Sequence, residues 1–432
     1  MKTFPSLLLL CGLVLSGAVT ALCGSRSRAA EPAVNRIVPI ATPIGVLNGV
    51  PIAATIAVTL VNPLPAPRAS ETIVLTLAEL GKIAPGFDLG KALVVDARGA
   101  AVLSQLVDTD GDDAPDEIVF QTDLGPRETK RFELRVGQRH PASLAEFKVY
   151  GRFVRERHDD FAWENDRVAH RVYGPGLETW KKDPLTSSGV DTWVKRVPRL
   201  LVNDWYLTDD YHQDHGEGAD FYAVGKSRGC GGLGIWAAGK LQVSRNFTGS
   251  RVLASGPIRL EFELTYAPWD AGGARVAETR RVILDAGTNF NRFESTLSNS
   301  ARGKSKGVLS VGIGIAKHPG NVPKIDPASG RMGVWEPLDG GRSGNLGCAI
   351  VLPPGSAADA QQTESEYLLV TPAPAGRPTV YYVGSAWDRA GQVADLAAWN
   401  REAERLSGRL AAPVAVSLAL VPATPVSKRL TH

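Results

Sequence analysis

The strongest constraint on the fold of this chain is a long succession of strand-like runs separated by turn residues. Before residue 140 each run is rich in Val, Ile, Leu or Phe and is bounded by Gly, Pro or Asp. The runs are "IAVTLVN", "TIVLTLAEL", "ALVVDARG", "VLSQLVD", "EIVFQTDL" and "RFELRVG". This pattern predicts a small antiparallel β-sandwich, which we place at residues 36–140.

After the connection "RHPASLAEF" the runs lengthen, as in "IRLEFELTYAPW", "GVLSVGIGIAKH" and "TVYYVGSAW". Polar and apolar residues alternate in many of them, which is typical of large antiparallel sheets with one buried face. Only residues 393–410 have helical spacing, with Asp395 as the candidate N-cap. Because 432 residues exceed what one core usually fills, we predict an all-β chain with a second, larger sandwich at residues 148–428.

The N-terminus has the pattern of a secretory signal. An apolar run covers residues 7–23, and small residues follow around Ala29. We therefore predict a signal peptide at residues 1–30 and a periplasmic or extracellular protein. A retained membrane anchor is one alternative, because the run approaches spanning length. A lipid anchor on Cys23 is another, although the bulky Leu22 argues against it. No second long apolar run follows, so we expect no transmembrane helix after cleavage.

Charge and motif content exclude several classes of function. The net charge is +3, and basic residues are interspersed with acidic ones, so no nucleic-acid ligand is expected. The chain lacks the phosphate-binding GxxxxGK[ST], and its glycine-rich "GCGGLG" is followed by the strand-like "IWAAGKLQV" and opens no βαβ unit for a dinucleotide. Beyond the signal only Cys230 and Cys348 remain. They could form one disulfide or stay as two buried thiols, and no Cys/His spacing indicates zinc.

The first candidate site is the acidic stretch "DTDGDDAPDE". Its alternating aspartates could wrap a calcium ion with several oxygens. The candidate ligands are Asp108, Asp110, Asp112 and Asp116. The stretch lacks the full EF-hand pattern, and the alternative is a solvated turn whose aspartates cap backbone amides. No other cofactor is expected.

The second candidate site is "FAWENDRVAHRVYGPGLE", residues 161–178. The ring of Trp163 could stack on the apolar face of a sugar, while Glu164 and Arg171 bind its polar groups. Strand alternation would present such groups on one face. The alternative interpretation is a packing tryptophan beside a surface ion pair.

The third and strongest candidate is "YHQDHGEGADFY", residues 211–222, with the glycine-rich run after it. An imidazole side chain can both take and give a proton, so His212 or His215 could transfer one, with Tyr211 or Glu217 as its counterpart. Arg228 could pair with a substrate carboxylate. The remaining candidates for substrate binding are Asp214 and Tyr222. Metal binding by the histidines with Asp214 and Glu217, or a structural role for both histidines, stays open.

These stretches, with "SSGVDTWVKRV" and "VLSQLVDTDGDDAPDEIVFQTDL", resemble the bacterial domain-of-unknown-function 4861 family over nearly the whole chain after the signal. The resemblance implies a galactose-mutarotase-like antiparallel supersandwich behind the small β-sandwich. It also implies an exported protein associated with the breakdown of glycans, especially acidic polysaccharides. It implies no established mechanism.

The leading hypothesis is an enzyme that cleaves uronate-containing oligosaccharides by hydrolysis or β-elimination. Fold alone does not decide this, and two alternatives remain: a non-catalytic glycan-binding protein, and a mutarotase or epimerase acting on free sugars. The hypothesis requires that Trp163, Glu164, His212, His215 and Arg228 meet in one cleft.

Overall fold

The computed structural model describes residues 35–39, 55–139, 141–299 and 307–421, and about half of these residues lie in β-strands, with few in helices. The all-β sandwich prediction is therefore confirmed. The predicted signal peptide, with Cys23, falls outside the described residues. Within the described part of the chain, every helix is too short or too polar to cross a bilayer.

The N-terminal part of the chain forms a small sandwich of two sheets. Its elements are β1 (Asn35–Pro39), β2 (Thr55–Val61), β3 (Arg68–Thr76), α1 (Leu77–Ile83), β4 (Ala92–Asp96), β5 (Ser104–Val107), β6 (Glu117–Leu124) and β7 (Thr129–Val136). One sheet contains β2, β7 and β4, and the other has the order β3-β6-β5. Alternate residues of β2 are buried in the core between them. The predicted strand "TIVLTLAEL" ends early, because Thr76 and Glu79 form a capping box that starts α1.

Five further strands form a sheet whose central strands are buried on both faces. The elements are β8 (Val149–Val154), β9 (Asp160–Asn165), β10 (Ala169–Val172), β11 (Asp191–Lys195), α2 (Val202–Thr208) and β12 (Gly218–Ala219). The strand order is β12-β11-β10-β9-β8. Every residue of β9, β10 and β11 is buried. Polar side chains on these strands must therefore find partners inside the protein.

The remaining strands form one five-stranded and one eight-stranded sheet. They are β13 (Cys230–Ala237), β14 (Lys240–Gln242), β15 (Gly249–Ser255), β16 (Arg259–Asp270), β17 (Arg275–Asp285), β18 (Phe290–Asn299), β19 (Val308–Ala316), β20 (Val322–Asp326), β21 (Arg331–Pro337), β22 (Asn345–Val351), β23 (Asp359–Gln362), β24 (Glu366–Pro374) and β25 (Pro378–Trp387). The smaller sheet has the order β14-β13-β19-β24-β23, and the larger one β15-β16-β17-β18-β25-β22-β21-β20.

The larger sandwich contains two five-stranded sheets, one formed by β8 to β12 and one that includes β13. The eight-stranded sheet packs against both of them through one apolar core. Phe161 of β9 stacks on Phe262 of β16 with ring centroids 4.3 Å apart. The two five-stranded sheets meet at a parallel bridge between Val190 and Gly229. Gly229 has φ +60°, and a Cβ there would lie 2.1 Å from the Val190 oxygen, so only glycine fits. The larger part of the chain is thus a two-layered sandwich.

The helix predicted at residues 393–410 is present as α3 (Leu396–Ala411). Asp395 caps it by accepting a hydrogen bond from the backbone N–H of Ala398. Trp399 is fully buried and stacks on Phe290 at 5.3 Å, so α3 covers the outer face of the eight-stranded sheet.

The last strand differs from the expectation. We placed "VAVSLALV" in the larger sandwich, but β26 (Val414–Val421) lies between β1 and β2 in the small one. The sheet order there is β1-β26-β2-β7-β4. Alternation along a strand indicates which face is buried but not which strand pairs with it. Val416 and Leu418 consequently complete the core of the small sandwich.

Val416→Asp is expected to unfold the small sandwich selectively, because it buries a carboxylate without a partner at a cost of several kcal/mol. Hydrogen exchange should accelerate in β2 and β7 while β16 and β17 keep their protection. Ala415→Asp on the exposed face of β26 is the matched control and should exchange like the wild type. Loss of protection in β16 and β17 with β2 intact would contradict this pairing.

Candidate functional site

A buried arginine with three carboxylates lies on the outer face of the sheet formed by β8 to β12. Arg171 of β10 donates from Nη2 to Asp191 at 2.6 Å and to Asp220 at 3.0 Å. Its Nη1 lies 3.9 Å from Asp160 of β9, which accepts a hydrogen bond from the Gly174 N–H. Arg171 is paired in register with Asp191 of β11. All four charged side chains are buried, so they are each other's main electrostatic partners.

Three carboxyl groups facing one guanidinium cannot all be ionised without cost. Burial raises the pKa of Asp160 to about 7, against the opposing charges of Arg171 and Arg157. Burial and the neighbouring Asp191 carboxylate raise the pKa of Asp220 well above its usual range. The cluster therefore retains a proton around neutral pH.

Aromatic rings separate this cluster from water. Trp193 of β11 stacks on Tyr211 with centroids 4.9 Å apart and an interplanar angle of 10°. Tyr206 of α2 contacts both rings. The Arg171 guanidinium lies 5.1 Å from the centre of the Trp193 ring. Tyr211, which the sequence predicts to be catalytic, is thus buried and covers the cluster. Burial raises the pKa of Tyr211, so its hydroxyl stays protonated.

His212 is the one predicted proton-transfer residue that is both exposed and tied to the cluster. Its side chain is 63% exposed, and its ring lies 4.6 Å from that of Tyr211. Nδ1 lies 3.1 Å from the backbone oxygen of Asp220 and 3.7 Å from its carboxylate. A carbonyl oxygen can only accept, so Nδ1 carries the proton. Nε2 is then left with its lone pair and has no hydrogen bond to a described residue.

The other polar residues of this loop hold its shape. His215 Nε2 pairs with Asp210 at 2.9 Å on the surface. Asp214 forms an ion pair with Arg196 and also accepts from the N–H groups of Gly216 and Gly218. Glu217 pairs with Arg199 at 2.5 Å. His212 and His215 are therefore neighbours in sequence with different partners, and the structure brings no common ligand set around them.

Two residues of β9 that the sequence predicts to bind substrate lie in the interior, as Arg171 does. Trp163 has no exposed surface and donates a hydrogen bond from Nε1 to Asn291, so a sugar ring cannot stack on its indole. Glu164 bonds to Lys195 at 2.6 Å and accepts from the N–H groups of Leu201 and Val202 at the start of α2. Both side chains are enclosed because β9 is covered on each face.

Arg228, predicted to pair with a substrate carboxylate, is buried as well. Its Nη1 donates to Ser188 Oγ at 2.7 Å, and its Nε lies 3.7 Å from Glu366. The Glu366 carboxylate also accepts from the Arg228 backbone N–H. The side chain therefore joins the loop before β13 to β24, and a sugar cannot reach it in this conformation.

Tyr222 and the two cysteines lie between the layers. Burial and the nearby Cys348 raise the pKa of Tyr222 well above its usual range. Cys230 and Cys348 are buried free thiols, which is the second of the two alternatives considered from the sequence. None of these groups is open to a polar ligand.

His318, which the sequence analysis did not identify, anchors the backbone at Ala223, directly after the loop of residues 211–222. Its Nδ1 lies 2.9 Å from Glu336 and its Nε2 lies 2.7 Å from the Ala223 backbone oxygen. Both partners accept, so both nitrogens must donate, and the ring is held as an imidazolium. Although burial lowers the pKa of His318, its hydrogen bonds to Glu336 and Ala223 raise it above the usual value.

The predicted calcium loop is partly assembled. Carboxylate oxygens of Asp108, Asp110 and Asp116 lie within 4.8 Å of one another, and Asp112 is not part of this group. Asp108 caps the Gly111 N–H, as a solvated turn would require. The geometry is compatible with both alternatives, so calcium binding stays a prediction.

A cavity of about 590 Å³ lies between β5 and β15, away from His212. Two of its polar lining side chains already have partners: Gln105 donates to the Arg259 oxygen, and Arg139 donates to the backbone oxygens of Ala92 and Ser104. Desolvation lowers the pKa of Arg139. The cavity offers no acid-base pair for a reaction.

Comparisons with known proteins identify relatives. The family described as "Domain of unknown function (DUF4861)" matches residues 60–416. A protein of Formosa agariphila described as "Uncharacterized protein P7" is 34% identical over 384 residues, which are 84% of this chain and 93% of that protein.

Solved structures give only a distant likeness. An alpha-mannosidase from Enterococcus faecalis has a TM-score of 0.44 and 10% identity, over 85% of this chain and 46% of that chain. A heparan sulfate lyase HepC mutant from Pedobacter heparinus has a TM-score of 0.31 and 11% identity, over 58% and 38%. This chain thus spans less than half the length of either, and similarity at this level bears on neither substrate nor reaction.

Asp160→Asn is expected to remove part of the pH dependence of stability. The folded-state pKa of Asp160 is raised from 3.8 to about 7, so its contribution is fully present below pH 4 and is lost as the pH rises to 7. In urea unfolding, the stability of the wild type relative to the variant should fall by about 1 kcal/mol per pH unit across this window. Asp359→Asn on the exposed strand β23 should keep the wild-type profile. A constant difference between wild type and Asp160→Asn from pH 4 to 7 would contradict the assignment.

His318→Gln is expected to release the segment around Ala223. Because the folded-state pKa of His318 is raised, its contribution is present below pH 6.5 and is lost as the pH rises above that value. Trypsin cleavage at the exposed Lys226 should therefore increase from pH 6 to pH 9 in the wild type, relative to a peptide substrate. The variant should be cleaved rapidly at both pH values, whereas His215→Gln should behave like the wild type. Equal wild-type cleavage at pH 6 and pH 9 would refute this role.

Proposed function

This chain belongs to the DUF4861 family, and from the geometry of its site we propose that it is an exported, carbohydrate-active enzyme that cleaves uronate-containing oligosaccharides. The observation that carries the proposal is the state of His212. Its Nδ1–H is engaged by the Asp220 carbonyl, and its Nε2 faces no protein partner among the described residues. This is the arrangement of a general base.

The surroundings of His212 suit a sugar. Proteins hold sugars between aromatic faces, which cover the C–H groups, and polar side chains, which bind the hydroxyls. The ring of Tyr211 lies next to His212, and the guanidinium of Arg157 lies 5.8 Å from the Tyr211 ring and 5.2 Å from the half-buried Trp180. The buried ion pairs of Arg171 with Asp191 and Asp220 hold the backbone next to His212 in place.

Among the cleavage reactions, the geometry favours β-elimination. Hydrolysis uses two carboxyl groups across the glycosidic bond, and the glutamates among the candidate site residues are Glu164 and Glu217. Glu164 is buried on Lys195, and Glu217 is paired with Arg199. Elimination needs only one base and a proton donor for the leaving oxygen.

In such an elimination, Nε2 of His212 would take the proton from the carbon next to the uronate carboxylate. The electron pair forms a carbon–carbon double bond, and the bond to the glycosidic oxygen on the adjacent carbon breaks. The imidazolium that results keeps its hydrogen bond from Nδ1 to the Asp220 backbone oxygen at 3.1 Å, which stabilises its charge. It can then return the proton to the leaving oxygen, so the protein regains its initial state.

Export is part of the same proposal. The apolar run at residues 7–23 and the small residues after it have the pattern of a secretory signal. An enzyme acting on polysaccharides meets them outside the cytoplasm. Secretion into the periplasm or the medium, followed by N-terminal sequencing of the mature protein, would test the predicted cleavage near Ala29.

His212→Gln is expected to lower turnover by about 10² to 10⁴-fold, which is the usual contribution of a general base. The assay follows the ultraviolet absorbance of unsaturated uronates, together with reducing ends, on a panel of acidic oligosaccharides. His215→Gln is the matched control in the same loop, and we expect it to retain most activity because His215 pairs with Asp210 on the surface.

The same assay separates the alternatives. Reducing ends without new absorbance would indicate hydrolysis, and interconversion of free sugars would indicate a mutarotase or epimerase. Binding without any product would indicate a glycan-binding protein. Full turnover in His212→Gln would refute the role of His212 as the base.

A further inference from the structure

The turn between β8 and β9 has an unusual backbone conformation. His158 and Asp159 are consecutive non-glycine residues with φ values of 54° and 65°. Such residues cost of order 1 kcal/mol each and persist only where packing imposes them. Here the imposing contact is Gly174, where a Cβ would lie 1.7 Å from the Asp159 oxygen. The turn is therefore held rigidly, and Arg157 immediately precedes it.

Arg157 forms no salt bridge with a carboxylate in the described part of the chain, and its charge acts on Asp160 and Asp220 only at longer range. Its guanidinium lies 5.2 Å from the Trp180 ring and 5.8 Å from the Tyr211 ring. Its Nε is buried and donates to no atom. The other arginines around the loop each have a carboxylate partner. These are Arg171 with Asp191, Arg196 with Asp214, and Arg199 with Glu217.

The space beside Arg157 combines a free cation with an aromatic edge and a base. Trp180 is half-buried, and His158 stacks on it at 4.5 Å, which fixes the indole. The Tyr211 ring lies 5.8 Å from the Arg157 guanidinium and 4.6 Å from the His212 imidazole. An arginine fork matches a planar carboxylate with two parallel hydrogen bonds. The indole edge can take the apolar side of a sugar ring.

We propose that Arg157 binds the carboxylate of the sugar whose proton His212 removes, with Trp180 beside the ring. The inference rests on the proposed function and assigns to Arg157 the role that the sequence suggested for Arg228. Hydrogen bonds from a guanidinium stabilise the charge that develops on the carboxylate when the neighbouring proton leaves. Arg157 is thus the residue that selects a uronate over a neutral sugar.

The test measures binding of glucuronic acid by calorimetry, with glucose and glucose 6-sulfate for comparison. Wild type should bind glucuronic acid in preference to both. Arg157→Gln should weaken this binding about 10- to 100-fold, since it removes a charge-assisted pair. Arg157→Lys should restore part of it by keeping the charge without the fork. Arg155→Gln removes the same charge two residues away on the exposed surface and should bind like the wild type.

Several results would overturn the inference. They are an unchanged affinity in Arg157→Gln, equal binding of glucose, and tighter binding of glucose 6-sulfate than of glucuronic acid. Near-ultraviolet circular dichroism of each variant shows whether the fold is retained. A folded Arg157→Gln protein that binds as tightly as the wild type is decisive against the inference.

Turnover separates this inference from the proposed function. His212→Gln should lose turnover but still bind glucuronic acid, whereas Arg157→Gln should raise KM more than it lowers kcat, and Arg157→Lys should recover part of the KM. If His212→Gln keeps its turnover while Arg157→Gln loses binding, the proposed base is wrong and the carboxylate site stands. If His212→Gln loses turnover while Arg157→Gln binds normally, the base stands and the carboxylate site is refuted.

Discussion

The ion cluster around Arg171 is the interaction on which the candidate site depends. Its guanidinium joins β10 to β11 through Asp191 and to the loop after β12 through Asp220. Burying such charges costs several kcal/mol per ion, and the cost is offset only by close pairing, so removing one partner typically destabilises a protein by about 3–5 kcal/mol. The Asp220 backbone oxygen in turn accepts from His212. The position of the exposed imidazole is therefore set by charges that never meet solvent.

The alternation of polar and apolar residues was enough to predict the all-β architecture, because a strand with one buried face has a period of two wherever it lies. The helix α3 could be predicted for the same kind of reason, since Asp395 caps a run with helical spacing. What alternation does not contain is the identity of the neighbouring strand. The pairing of β26 with β1 and β2 depends on the path of the chain after α3, and no local pattern encodes that path.

The candidate site was less predictable, because the type of a residue does not show whether its side chain is buried or exposed. The sequence predicts Trp163 and Arg228 as ligand contacts, yet both lie in the core, where tryptophan fills volume and arginine pairs with a carboxylate. The signal that could have located the buried cluster is the presence of charged residues within strands that have no polar face. Arg171 in "AHRV" and Asp191 in "DTWVK" are such residues, and burial on both sides requires that they find each other.

In the loop at residues 211–222, most of the polar residues anchor the backbone. Asp214 and Glu217 bind arginines on one side, and the Ala223 oxygen is held by His318 on the other. Tyr211 is locked between aromatic rings at its start. A loop fixed at both ends loses little entropy when a ligand binds, and a base on such a loop is already oriented for proton transfer. Its many polar residues are thus explained together: most of them hold the backbone, so that one imidazole can stand free.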